Sequence, residues 1–471
     1  MLFLSKLIDL KLNSMGFEGE FASYEPLRRI LNSEKIKAIE NRMRIREVNS
    51  DTDTSFETNL VHKQNLPQSI IQPDLILAID GSNLTAKAAN GFPGAEIGYV
   101  TIASVLIDLK LVRELEKEEF INPKDFRETE KASTIESVFP GCNVILDSEK
   151  CAKSSFRRAL FDELKSNVIF SEGETLLDTY EHLFQLKRSK YAESHLPKSP
   201  IDGVEEDMTY GHGEYVCPHS GEPLFSTDAL RLHELMNPGG SNGELFGQTM
   251  ATFEKLWLIH ILRSFEKKGW LSTLHRVAFV MDGPLAVFST SSWLTKVIED
   301  ELVRINNLQK QINGQDLLII GIEKSGTFFN HFEEIDTNQE GINDVFPHQS
   351  AFLLDDDYIK KNIIFSESQK PYGQDTYFGR KFFYKTISGQ RIVPVVAWFN
   401  DYQKNIRTAN ADQFTRLGDV MNLLDSLVSS RYPNSLTPLI SAHAEAAIPL
   451  NLGTRIFEDI AREIREKSTK C

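Results

Sequence analysis

The chain is short of cysteine, of uninterrupted apolar runs and of positive charge. Its cysteines, Cys142, Cys151, Cys217 and Cys471, are too few and too scattered for a disulfide framework and fit a reducing compartment. The opening stretch MLFLSKLIDLKL is interrupted by Lys6 and Asp9, so it lacks a signal-peptide core, and no run elsewhere approaches the length of a membrane span. These absences are read as a cytoplasmic protein with no membrane segment. Glycine and proline are not enriched, and 41% hydrophobic with 25% charged residues is the balance of a folded globular protein, which argues against wholesale disorder. Lys and Arg number 52 against 67 Asp and Glu, a net charge of −15. Proteins that bind nucleic acid without sequence preference usually carry a basic footprint, so this deficit counts against such a ligand. It leaves room for carboxylates that hold cations and for a local basic groove or a basic partner.

At 471 residues the chain is long enough for two or three domains, or for one α/β domain with insertions. LSKLIDLKLNSM and EPLRRILNSEKIKAIENRMRI space their apolar residues by three and four, as helices do, and the polar VNSDTDTSFETN that follows reads as a linker. Residues 1–69 are therefore expected to be an N-terminal helical extension and its linker, and the core domain to span 70–455. LILAID predicts a strand buried on both faces, ending at Asp80 and closed by a Gly-Ser-Asn turn, with IGYVTIASVLIDLKL as a second strand. Residues 120–245 are polar and irregular and read as a large insertion holding two helices, SFRRALFDELKS and LLDTYEHLFQLKRSKYAE. QTMATFEKLWLIHILRSFEKKG predicts a helix stopped by Gly269, and HRVAFVMDGP a buried strand ending in Asp-Gly. LLIIGIEKSG, KFFYKTISG and RIVPVVAWF add strands. LGDVMNLLDSLVSSRY and LGTRIFEDIAREIREK read as closing helices, the last over 456–471, and no fixed-period repeat is visible.

Two buried-strand signals end alike, in Ala78-Ile79-Asp80-Gly81-Ser82 and Val280-Met281-Asp282-Gly283-Pro284. Each places a carboxylate where an apolar strand emerges at a sheet edge, the place where α/β active sites form, although Asp-Gly is also a common turn opener. Glu254 has Met250, Trp257, Leu258 and Ile261 as its helical neighbours, so its carboxylate falls on the apolar stripe and needs a cation or base as partner. Glu266, beside Lys267 and Lys268, reads as solvated surface. A strand Asp, a helix Glu and a second strand Asp together suit two hard cations in phosphodiester hydrolysis.

Other signals are secondary to this acidic set. Lys324, just past a strand, could meet a backbone phosphate or simply be a surface lysine. The stretch YFGRKFFYKTISGQR mixes Arg380, Lys381, Lys385 and Arg391 with Tyr377, Phe378 and Tyr384, a blend that suits single-stranded nucleic acid and that strand alternation also produces. Cys217 and His219, with His212 and His233 nearby, supply only one cysteine and read as a degenerate or metal-free zinc ribbon, and the acidic run 355–357 reads as a solvated loop.

Taken together, the Asp80 and Asp282 motifs, Gly321-Ile322-Glu323-Lys324-Ser325-Gly326-Thr327 after a strand, and YPNSLTPLISAH near the end resemble the NurA nuclease family, from about residue 70 to 455. The resemblance implies an RNase H-like mixed α/β sheet flanked by helices, with Asp80, Glu254, Asp282 and His443 as metal ligands and catalytic residues, and Lys324, Arg380, Lys381 and Tyr384 toward DNA. The chain departs from the family pattern in holding extra residues between Tyr432 and His443. The family implies DNA hydrolysis with Mn2+ or Mg2+, as single-strand endonuclease and 5′-to-3′ exonuclease. It also implies a homodimer docked on a HerA-type hexameric ATPase, in DNA repair or anti-phage defence. Two alternatives stand beside it: a NurA-like scaffold that regulates the ATPase without catalysis, and an RNase H-like nuclease acting on RNA or hybrids.

Overall fold

The computed structural model describes residues 29, 33–40, 42–43, 59–87, 95–111, 130–169, 172–191, 199–201, 213–217, 219–337, 344–428 and 436–447. The helices expected in LSKLIDLKLNSM and in LGTRIFEDIAREIREK, most of the linker, and Tyr432 lie outside these residues. The chain divides into two units, Met1–Asp53 and Thr54–Cys471. In the first, helix α1 (Glu34–Glu40) falls inside the stretch whose spacing predicts a helix.

The second unit is built on a sheet of nine strands: β1 (Leu60–His62), β2 (Leu75–Lys87), β3 (Glu96–Asp108), β4 (Glu130–Pro140), β7 (Val277–Asp282), β8 (Leu318–Glu323), β9 (Ser350–Leu353), β10 (Gly379–Lys385) and β11 (Arg391–Ala397). Their order is β1-β9-β10-β11-β8-β7-β2-β3-β4. β2, β3 and β4 form an antiparallel meander, β7 lies parallel to β2, and β8 lies parallel to β7. β11, β10, β9 and β1 extend the sheet by antiparallel pairing. A separate hairpin joins β5 (Glu214–Val216) to β6 (Pro223–Phe225).

Side chains alternate across a strand, and the two cores follow that alternation. Leu77, Ile79, Phe279 and Met281 face a core shared with α2 (Ala152–Ser166), α3 (Leu176–Lys190), α4 (Gly243–Lys267) and α5 (Leu294–Asn313). Ile76, Ala78, Ala278 and Val280 face the opposite core, closed by α7 (Leu417–Leu427) and α8 (Thr437–Ala446). Between them, α6 (Thr327–Ile335) follows β8. With both faces covered, the parallel strands carry the continuous apolar runs that make them readable.

Four expectations are corrected. The segment taken as an insertion contributes β4, which pairs with β3 along its length; only Ile135, Ser137, Phe139 and Pro140 are buried there, so this edge strand lacks the apolar run of an interior one. β2 does not turn at Gly81 but continues to Lys87, because β3 pairs with it throughout while its partner β7 ends. The acidic run 355–357 is not a free loop: Asp355 accepts from the Tyr358 amide at 2.8 Å, and Asp356 pairs with Lys360 at 2.7 Å. Helix α4 begins earlier than its apolar spacing predicts and ends before Gly269, whose φ of +73° suits a residue without a side chain.

Candidate metal centre

β2 and β7 pair in parallel as far as Ile79 opposite Met281, so Asp80 and Asp282 are the next positions on adjacent strands. By alternation both carboxylates take the face of Ala78 and Val280, the face on which α8 lies. α8 opens with Pro438 in its first turn and buries Leu439, Ala442 and Ala446 against the sheet, crossing β2, β3 and β4. That seating leaves His443 at the rim, its side chain 61% exposed, with Nδ1 3.0 Å from Asp80 Oδ2. One ligand atom from each of Asp80, Asp282 and His443 lies within 4.8 Å of the others.

The electrostatics of this group are unbalanced. Asp80 is almost fully buried, and its pKa is pushed up to about 7, first by burial and then by the charges of Asp282 and Glu254; His443 and Lys324 only partly oppose them. Lys324 does not reach outward but sets its Nζ 2.8 Å from Asp282 Oδ2. A divalent cation fits this donor set. Ligand distances of about 2.0–2.6 Å place donors around one ion at separations of this size, and buried carboxylates short of positive charge gain most from it. Two carboxylates with one imidazole suit an ion between hard and borderline, such as Mn2+, and also Mg2+.

Glu254 approaches from the opposite face, on α4. A Cβ at position 81 would lie 2.6 Å from Glu254 Oε1 and 2.7 Å from Met250 Cγ, so glycine is what lets the helix carboxylate reach the strand backbone. The carboxylate lies against the Gly81 amide, next to Asp80, and its Oε2 accepts from Lys255 Nζ at 2.9 Å. Burial raises its pKa most, Lys255 opposes this, and Asp282 adds to it. Glu254 thus adjoins the centre but stands outside the ion-sized trio. Glu266 is engaged elsewhere, by Arg304 at 2.6 Å.

The charged and aromatic residues of β10 are not at a surface. Arg380 donates to the carbonyls of Gln403, Asn405 and Thr408 and lies over Phe414; Lys381 pairs with Glu323 at 2.6 Å and lies over Phe328 and Tyr377; Tyr384 is fully buried. The expectation that Arg380, Lys381 and Tyr384 face DNA is corrected here: β10 is an interior strand, and its cations are spent on the protein's own carbonyls, carboxylate and rings. His233 is likewise interior, its pKa driven down to about 3 by burial and then by Lys153 and Arg157. Cys217 closes the turn of the β5–β6 hairpin, its sulfur accepting from the Ser220 amide at 3.4 Å, and His212 lies outside the described residues.

Two neighbours of the centre, Gly81 and Lys255, escape sequence reasoning. The tripeptide Gly-Ser-Asn reads as a turn, and Lys255, adjacent to Glu254 on a helix, points away from it by simple spacing. The one available signal for Gly81 was its place directly after a candidate ligand.

Neighbouring parallel strands that each present an aspartate, closed over by a helix carrying a histidine, define an α/β protein with a candidate divalent-cation site. A sequence model of the NurA domain matches residues 74–448, and the chain belongs to the NurA family, a family of nucleases. Among solved structures it is similar to the NurA nuclease from Sulfolobus solfataricus, at 12% identity over 94% of this chain and 97% of that one, with a TM-score of 0.30. It is also similar to a crystal structure of NurA with manganese, at 11% identity over 91% and 96% of the two chains, with a TM-score of 0.24. A comparison with curated proteins gave no match. No helix among the described residues is long and apolar enough to cross a membrane.

Proposed function

We propose that the protein is a divalent-metal-dependent deoxyribonuclease with an RNase H-like core. The observation that carries this reading is the convergence of Asp80, Asp282 and His443, of which the first and last stand 363 positions apart, into a space the size of one ion's ligand shell. The strand order supports the RNase H-like description: an antiparallel meander β4-β3-β2 followed by parallel β7 and β8, with carboxylates on the first and fourth of these strands in chain order.

When bound, a divalent ion supplies an activated water and charge stabilisation at a phosphate oxygen. Asp80 and Asp282 hold it through carboxylate oxygens. His443, open to solvent, either completes that shell or passes a proton at the scissile phosphate. Lys324, released from Asp282 Oδ2, meets the phosphate backbone as a point charge. Glu254 lies behind the Asp80 backbone, against the Gly81 amide and paired with Lys255.

The finer reading follows the family: single-strand endonuclease and 5′-to-3′ exonuclease activity in DNA end processing, as a homodimer in the cytoplasm with a HerA-type hexameric ATPase, in repair or anti-phage defence. A net charge of −15 fits a nuclease that relies on its motor for DNA engagement. The test is a digestion panel of single-stranded DNA, duplex DNA, RNA and hybrid with Mn2+ or Mg2+, and with EDTA as control. Ion-dependent cleavage of DNA is expected. Preferred cleavage of RNA or hybrid would replace this reading with a ribonuclease, and no cleavage with retained stimulation of the ATPase would replace it with a scaffold.

A further inference from the structure

The two aspartates of the centre differ in what already holds them. Asp80 Oδ2 meets the exposed His443 ring at 3.0 Å. Both oxygens of Asp282 are engaged by the neighbouring chain: Oδ1 accepts from the Gly283 amide at 3.0 Å, and Oδ2 from Lys324 Nζ at 2.8 Å. The backbone under this pair is fixed, since the Gly283 amide also donates to the Ile322 carbonyl at 2.8 Å and ties the turn after β7 to β8. The Lys324 side chain is the part free to move. It is 28% exposed, against 24% for Asp282, so water screens and weakens their ion pair. Its charge also acts on Asp80, against those of Asp282 and Glu254. The carboxylate beside it in sequence, Glu323, is already held by Lys381 at 2.6 Å.

We propose that Lys324 sets the order of binding: its ammonium holds the Asp282 oxygen in metal-free protein, yields it to a divalent ion, and only then is free for a DNA phosphate. The proposal rests on the nuclease reading and deepens it by linking the ion to the strand through one side chain. An ammonium at 2.8 Å and an ion at about 2.0–2.6 Å from the same carboxylate oxygen repel each other. The doubly charged ion, with Asp80 and His443 as further ligands, prevails over a weak, screened ion pair. Lys324 then carries an unspent positive charge beside the centre, in a chain whose net charge is −15. With Glu323 taken by Lys381, a phosphate is the partner that replaces Asp282. The coupling is reciprocal, so a strand that draws Lys324 away tightens the ion by the same factor.

The experiment completes this binding cycle for full-length protein with Ca2+ as the ion and fluorescent oligo-dT as the strand, whose length is checked on a gel after each titration. Calorimetry reads the ion affinity without DNA, and anisotropy reads the strand affinity in EDTA and in Ca2+ over a range of salt. Lys324→Met and Lys324→Gln are compared with wild type and with Lys110→Met, which removes an equal charge paired with Asp74 just before β2. Both Lys324 variants are expected to bind Ca2+ about 5-fold tighter than wild type, the upper worth of a partly exposed ion pair. In Ca2+ they should lose about 5-fold in oligo-dT affinity, with a salt slope shallower by about 0.7, the share of one phosphate contact on a single strand. In EDTA the loss should stay under about twofold, because Lys324 is then spent on Asp282. Lys110→Met should match wild type throughout. Equal losses in EDTA and Ca2+ would make Lys324 an ordinary phosphate contact and overturn the ordering, leaving the nuclease reading in place. Unchanged Ca2+ affinity in both Lys324 variants would show that the ammonium does not compete with the ion, and overturns it as well. Wild-type protein that binds neither Ca2+ nor oligo-dT overturns the nuclease reading itself.

Discussion

Two buried carboxylates in this molecule, Asp80 and Glu301, meet burial in opposite ways. Burial alone would raise the Glu301 carboxyl, but hydrogen bonds from Arg304, His182 and Arg263 overcome it and hold it well below the usual carboxylate range. Arg263 and Arg304 are in turn shared with Glu174 and Glu266, so the group closes on itself with donors at 2.6–2.8 Å. Asp80 has an exposed imidazole at 3.0 Å and two acidic neighbours, and its carboxyl is raised to about 7. A buried charge that is fully partnered braces the helices around it. A buried carboxyl left short of partners marks a candidate place for a cation.

The comparison breaks most sharply in activity. Asp80→Ala and Asp282→Ala are expected to reduce ion-dependent cleavage to background while circular dichroism stays that of the wild type, because an ion ligand is lost and no packing is. Cleavage by folded Asp80→Ala at a rate near wild type would remove the centre from the catalytic account. Glu301→Gln should do the reverse: cleavage per folded molecule persists, but unfolding by urea shows a loss of about 3 kcal/mol, since buried Arg263 loses one of its two carboxylate partners. A variant as stable as wild type would show that the Arg263–Glu301–Arg304 group braces nothing.

A subtler consequence concerns Asp80→Asn in metal-free protein. The folded pKa of Asp80 lies above its ordinary value of 3.8, so the folded state binds the proton more tightly than the unfolded chain. Its contribution is therefore full below pH 4 and fades as pH rises through about 7. The Asn variant lacks this loss and should melt a few degrees above wild type at pH 8, by less at pH 5. Adding Mn2+ should raise the Tm of wild type and not of the variant. Equal pH profiles for the two proteins would show that Asp80 is not held in this unbalanced state. The smallest structural effect belongs to His443→Ala, which should change stability by no more than about 0.5 kcal/mol, as at other exposed positions, yet weaken Mn2+ binding or slow cleavage. Unaltered metal affinity and rate would reduce the histidine to a bystander.

The parts of the site that were legible are those carried by local pattern. LILAID and HRVAFVMDGP announce buried strands because both faces of β2 and β7 are covered, and Glu254 announces itself because a carboxylate on an apolar helix stripe is anomalous wherever the helix packs. β4 was illegible because an edge strand covered on one side carries few apolar residues. The charge of β10 misleads for the converse reason: Arg380 and Lys381 look solvated in sequence, and only the loop carbonyls of 403–408 and the Glu323 carboxylate show where their charge is spent.

Sequence alone determined which residues are candidates for the chemistry, the paired aspartates after apolar runs and the helix glutamate, since strand and helix periods are local properties of the chain. Tertiary structure decided their geometry. Strand alternation and the register of β2 on β7 put both aspartates on one face, α8 brought His443 to that face, and α4 came to the other, where the missing side chain of Gly81 admits Glu254. No local pattern encodes which face a distant helix will cover, because that choice is made by the packing of whole layers and not by the residues that end up touching.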